Sequence, residues 1–190
     1  HNKELKLPLA SVAKAVTAVY GIETIGEEHK FTTDLFTDGV VKKGILEGNI
    51  YLIGGGDPSL STDDLRDFVK AIKKQGIRGI SGNFFYNSEI IPEFLAIDPS
   101  QLPQASYNPG FSGLNLNNNK VLFSWTRDGQ DYDLKIEAKS LKSAIPPNNI
   151  SIQGKNHLGK VFEYVLEPKT RIEKWSVSRK VLGENGMRWL

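Results

Sequence analysis

The chain has no cysteine among its 190 residues. Disulfides, thiol catalysis and cysteine-based zinc sites are therefore excluded, although the compartment is not decided, because exported proteins need not carry disulfides. Histidine is scarce, at positions 1, 29 and 157, and never in an H-x-x-x-H or similar ligand spacing, so no metal site is expected. There is no dense Lys/Arg block, and the formal net charge of +2 is too small to suggest a nucleic-acid partner. No apolar run reaches the length of a membrane span. The chain opens on His1 without a charged-then-apolar leader and reads as a processed or trimmed product. No internal repeat or low-complexity segment is present.

What remains is ordinary globular composition, 39% hydrophobic and 24% charged, in a chain long enough to bury a sizeable core. Residues 8–25 (PLASVAKAVTAVYGIETI) predict a helix that starts at Pro8 or Ser11 and stops before Gly26. Its apolar residues surround the axis, the pattern of a helix buried inside a domain. FTTDLFTDG and GNIYLIGGG read as strands. Residues 62–75 read as an amphipathic helix with Thr62 as N-cap, acidic residues in its first turn and lysines in its last. IRGISGNFFYNSEII is a further strand, and a proline-rich loop runs from Pro92 to Pro109. A hairpin around Asp128-Gly129 follows, then β segments ISIQG and KVFEYVLEP, and an amphipathic tail. The fold class is α+β. The first helix needs neighbours on all sides, whereas the later elements pair mainly with one another.

Ser11-Val12-Ala13-Lys14 matches S-x-x-K. Spacing of three places both side chains on one helix face, and the first turn offers free N–H groups to developing negative charge. A neutral lysine can take the serine proton, so the pair needs no histidine. Roughly one such match is expected by chance in a chain of this composition. The setting of Lys14 adds weight, because it is the one charged residue between Lys6 and Glu23. A lysine buried there would lose its proton or need buried partners. The bland alternative is a lysine that snorkels to the surface.

Four blocks, LPLASVAKAVTAVYGIETIG, FTTDLFTDG, GNIYLIGGGDPSLSTDDL and YNPGFSGLNLNNNKV, are similar in kind, order and spacing to the D-alanyl-D-alanine carboxypeptidase/endopeptidase family of class C, low-molecular-mass penicillin-binding proteins. The resemblance covers about Leu5 to Leu190. It implies a serine-type, extracytoplasmic or periplasmic enzyme that cleaves terminal D-Ala or cross-bridges of peptidoglycan stem peptides and is acylated by β-lactams, with Ser11 as nucleophile and Lys14 as general base. It also implies that residues 1–30 begin a penicillin-binding, β-lactamase-like α/β domain, that 31–168 form a large inserted α+β region, and that 169–190 return toward the first domain. No cofactor is implied.

The family's site also needs an S-x-N and a K-T-G. No K-T-G occurs. Ser106-Tyr107-Asn108 and Ser81-Gly82-Asn83 fit S-x-N only as strings, and His157-Leu158-Gly159 lies too early to replace K-T-G. The expectation is that a missing C-terminal half or a second chain carries these motifs, and that the 190 residues alone are inactive. Tyr107 is a weak candidate for substrate binding, since family members place an aromatic residue near there. Two rival readings stand beside the peptidase: a non-catalytic peptidoglycan-binding scaffold on the same fold, and a β-lactamase-like hydrolase. Gly54-Gly55-Gly56-Asp57-Pro58 reads as a structural turn rather than a phosphate loop, because it lacks G-K-[ST]. Asp57, Asp63 and Asp64 read as helix-start carboxylates, and Trp125, Trp175 and Trp189 as core.

Overall fold

The computed structural model describes residues 3–102, 105–156 and 159–190, and the chain divides into two units, residues 1–31 and 32–190. In the first unit a single 3-10 turn, Ala10–Val12, leads into helix α1, Ala13–Ile25. Gly26 ends the helix at φ 86°, where its N–H reaches the Ile22 carbonyl at 2.9 Å. A residue without Cβ adopts this left-handed region freely, so the stop is the one the sequence predicts. The neighbours that such a helix needs are not supplied by its own unit. None of the residues of α1 is buried, and Val16, Val19, Tyr20 and Ile22 are exposed. An apolar surface on every side has to be covered on every side, and one helix cannot do this within its own unit.

The second unit begins with two small three-stranded sheets. Strands β1 (Thr33–Thr37), β4 (Ile50–Gly54) and β6 (Phe84–Asn87) form one, in the order β1-β4-β6. Strands β2 (Val40–Lys42), β3 (Ile45–Glu47) and β5 (Gly79–Ile80) form the other. Helix α2, Thr62–Lys74, runs between them in sequence and turns Leu65, Phe68 and Ile72 inward at spacings of three and four. Ile72 packs on buried Leu46, Ile50 and Ile77. Its N-cap is Ser61 rather than Thr62. The Ser61 side chain accepts from the Asp64 N–H and the Asp64 carboxylate accepts from the Ser61 N–H, a reciprocal capping box. The segment 79–87 is two short strands instead of one, because β5 pairs with β3 and β6 with β4 in different sheets; Gly82 between them passes the Gly48 backbone too closely for a Cβ.

The predicted hairpin is present as β7 (Leu122–Asp128) and β8 (Asp131–Lys139), closed at the pair Asp128–Asp131. With β13 (Asn185–Trp189) and β9 (Ala144–Ile145) they make a four-stranded sheet, β13-β7-β8-β9. The last sheet is β10 (Ile150–Lys155), β12 (Ile172–Ser178) and β11 (Phe162–Glu167), with β12 in the centre. The two sheets share a core of Phe123, Ile136, Phe162, Trp175, Val177, Leu182 and Leu190. Phe162 meets both Phe123 and Trp175 edge-on, at 5.8 and 6.5 Å, an arrangement that favours aromatic pairs beyond their buried area. Residues 169–190 supply the central strand of one sheet and an edge of the other. Their alternating apolar side chains complete this core.

The fold class is therefore mixed α+β and mostly sheet. No helix of the described residues is long and apolar enough to cross a membrane.

Candidate active site

Ser11 sits in the middle of the 3-10 turn and Lys14 one turn on, at the start of α1. Neither helix start uses a side-chain cap, so the Ser11 hydroxyl is not spent on the backbone. The Lys14 Nζ donates to Ser11 Oγ at 2.8 Å. With the ammonium deprotonated, the same contact lets Nζ accept the hydroxyl proton. Both residues are exposed, so the desolvated setting inferred for Lys14 is not supplied by its own unit. Just before Ser11, Ala10 holds φ 45°. This left-handed conformation costs a residue with a Cβ about 1–2 kcal/mol and recurs at functional turns. The sequence carried no signal for it, since alanine does not ordinarily mark such a position.

The other candidates lie in the second unit. Tyr107 is exposed and lines a cavity of about 410 Å³ with Leu102, Phe162 and Arg188 among its walls. Asn108 of the first S-x-N string is fully buried. Its amide accepts from the Asp98 N–H at 2.8 Å and donates to the Asp98 carbonyl at 3.0 Å, pinning the proline-rich loop. Asn83 of the second string is bonded through its backbone to Asn49 and Ile50. Both strings are thus structural. His157 and Leu158 lie outside the described residues.

The glycine run is a close backbone crossing. A Cβ at Gly54 would stand 2.3 Å from the Gly113 carbonyl oxygen, and the Gly56 N–H donates to that oxygen at 2.9 Å. Asp57 accepts from Ser59, Asp64 accepts from the capping Ser61, and Asp63 accepts from the Lys142 N–H. Bonding to Ser143 and then to Lys142 holds the Asp63 carboxyl below its usual range. Among the described residues no group of three His, Asp or Glu side chains could hold a metal ion. Trp175 belongs to the core and Trp125 packs against it, but Trp189 is exposed at the edge strand.

The sequence reading missed one feature altogether. Asn117, Asn118 and Asn119 all have positive φ, 52°, 55° and 53°, a left-handed turn of three consecutive residues. Asn117 holds it against α2: its Oδ1 accepts from the Thr62 N–H at 3.0 Å and its Nδ2 donates to Thr62 Oγ1 at 2.7 Å. The signal was available in the NNN string, because asparagine enters this region more readily than other side chains.

The chain belongs to the D-Ala-D-Ala carboxypeptidase 3 (S13) family, whose model matches residues 1–157. Among curated relatives it is 32% identical over 81 residues to D-alanyl-D-alanine carboxypeptidase DacB of Haemophilus influenzae, covering 43% of this chain and 17% of that protein. It is 30% identical over 76 residues to the D-alanyl-D-alanine carboxypeptidase of an Actinomadura species, covering 40% and 14%. The fold is that of the crystal structure of penicillin binding protein 4 (dacB) from Haemophilus influenzae. That match has a TM-score of 0.65 at 20% identity and covers 94% of this chain and 40% of the other. The same protein complexed with a β-lactam matches with a TM-score of 0.59 at 19% identity, covering 95% and 38%. The chain thus spans about two fifths of the length of these structures.

Proposed function

We propose that this chain carries the nucleophile end of a serine-type D-Ala-D-Ala carboxypeptidase/endopeptidase that acts on peptidoglycan stem peptides outside the cytoplasm and is acylated by β-lactams. The observation that carries the reading is the 2.8 Å contact between Lys14 Nζ and Ser11 Oγ, in a chain of the S13 family. Ser11 Oγ attacks the carbonyl carbon of the penultimate D-Ala while its proton passes to Lys14. The tetrahedral oxyanion draws on backbone N–H donors at the helix start, that of Ser11 among them. Collapse breaks the peptide bond, the leaving D-Ala amine takes a proton, and water then hydrolyses the Ser11 ester.

A lysine serves as base only once it has shed its proton, which removal from water promotes. In this reading the elements that cover the apolar surface of α1 provide that removal. The same part of the protein contributes the functional S-x-N and the K-T-G, a string the present sequence does not contain. Residues 1–30 then open the catalytic domain, 31–168 form the inserted region, and 169–190 lead back toward the first domain. Tyr107 is a candidate contact for substrate.

Labelling of the full-length protein with a reporter penicillin tests the proposal. Ser11→Ala abolishes labelling, and Lys14→Ala slows it by about 10²–10⁴-fold, the usual worth of a general base. Unchanged labelling in either variant contradicts the assignment.

A further inference from the structure

A cleft in the second unit is not used by this chemistry. It runs between the loops after β6 and the strands β11 and β12, in two lobes of about 240 and 420 Å³, the larger of them within the size range of small-molecule sites. Both lobes are lined by Leu95, Gly110, Asn119, Asn149, Tyr164 and Glu173. Glu173 is therefore at their junction. Its carboxylate accepts from Trp175 Nε1 at 3.3 Å and has no ion-pair partner among the described residues. A half-buried carboxylate with one hydrogen bond is a group with acceptor capacity to spare.

The amides beside it are fixed in one orientation. Asn149 Nδ2 donates to the Arg171 carbonyl at 3.1 Å, and Asn119 Nδ2 donates to the Gly110 carbonyl at 3.2 Å. Each is left with an amide oxygen as a further acceptor. The backbone that holds them is held in turn: Asn119 and Arg171 both have left-handed φ, and the Arg171 N–H is tied to the Glu167 carbonyl at 2.9 Å. Tyr164 leans on Trp175 with ring centroids 4.8 Å apart and supplies both a flat apolar surface and a hydroxyl. Burial, and after it the Glu173 charge, pushes that hydroxyl up to about 12, so it remains a donor at neutral pH.

The charges decide the ligand class. Lys120 lines the inner lobe, and Arg171 lines the outer one in a two-pronged pair with Glu93. A cationic ligand meets these two cations, and an anionic one meets Glu173. A neutral ligand rich in O–H and N–H donors meets acceptors at Glu173, Asn119 and Asn149. An acetamido group fits the remaining chemistry: its N–H finds a carboxylate or amide oxygen, its carbonyl finds the Tyr164 hydroxyl, and its methyl finds Leu95. We infer that this cleft is a binding subsite for a neutral N-acetylated saccharide, with Glu173, Asn149 and Tyr164 as its main contacts. The inference is independent of the acyl-transfer reading.

Titration of the full-length protein with the β-linked N-acetylglucosamine tetramer, followed by tryptophan fluorescence, tests it. Saturable binding is expected, weakened roughly tenfold or more by Glu173→Gln and by Asn149→Ala, the scale of one lost hydrogen bond to a charged or buried group. The glucose tetramer with the same β-linkage binds at least roughly tenfold more weakly, since it lacks the acetamido group. Ser11→Ala binds as the parent does, which separates this site from the acylation site. Lack of saturation, equal binding of the two tetramers, or undiminished binding in both cleft variants overturns the proposal.

Discussion

Replacing Asn117 by alanine removes two hydrogen bonds from a residue that is almost inaccessible to solvent. Thr62 is 2% exposed, and its N–H is one of the first-turn donors of α2 that no intrahelical carbonyl can satisfy. Asn117 Oδ1 satisfies it at 3.0 Å, while Asn117 Nδ2 reaches Thr62 Oγ1 at 2.7 Å. Leaving a buried donor without a partner costs about 1–3 kcal/mol. Alanine must also hold φ near 52°, which adds about 1 kcal/mol relative to a residue that tolerates the left-handed region. The expected loss for Asn117→Ala is therefore about 2–4 kcal/mol. Asn117→Gly loses the same hydrogen bonds but not the left-handed tolerance, so it should fall between alanine and the parent. Urea unfolding followed by circular dichroism measures both, and an unchanged slope with denaturant would show that stability alone has moved. An alanine variant within about 0.5 kcal/mol of the parent, the usual range for an unremarkable surface change, would refute the reasoning. So would a glycine variant less stable than the alanine one.

Two further outcomes follow from the same structure. Ser61→Ala breaks the capping box of α2 and should cost about 1 kcal/mol by urea unfolding, whereas Ser61→Asp, which keeps an acceptor, should recover most of it. Burial raises the Glu173 carboxyl above its ordinary value, against a smaller opposing effect from its Trp175 hydrogen bond. The folded chain thus holds this proton more tightly than the unfolded one, and stability falls as pH climbs from the ordinary carboxyl value through the folded one. Glu173→Gln should remove that decline and leave the protein at least as stable at neutral pH, as unfolding curves taken across this pH interval would reveal.

The parts of the fold that were legible in the sequence are those where local chemistry and packing agree. The hairpin at Asp128–Gly129 has alternation on both arms and a turn that glycine permits, at φ 60°. Helix α2 announces itself by acidic residues at one end and lysines at the other. Its cap was placed one residue late because Ser61 and Thr62 are both capping residues, and only the Asp64 side chain decides between them. The need of α1 for neighbours was legible in its apolar pattern, but which elements cover it was not. The strands of the tail from 169 onward were not legible for a related reason. Its mixed pattern suits a surface helix as well as strands, and the choice is made by β10, β11 and β7, which are distant in sequence. At the candidate site, the Ser11–Lys14 contact follows from spacing on one helix face, while the left-handed Ala10 before it depends on how the chain enters the turn.

The assignment of Ser11 is tested most directly by locating a β-lactam adduct on the full-length protein. Tryptic cleavage after Lys6 and Lys14 releases Leu7–Lys14, a peptide in which Ser11 is the one hydroxyl-bearing residue. Its mass after treatment with penicillin should rise by that of one penicilloyl group, and the rise should vanish in Ser11→Ala. An adduct found on any other peptide, or an unmodified Leu7–Lys14 in protein that is otherwise labelled, would contradict the account.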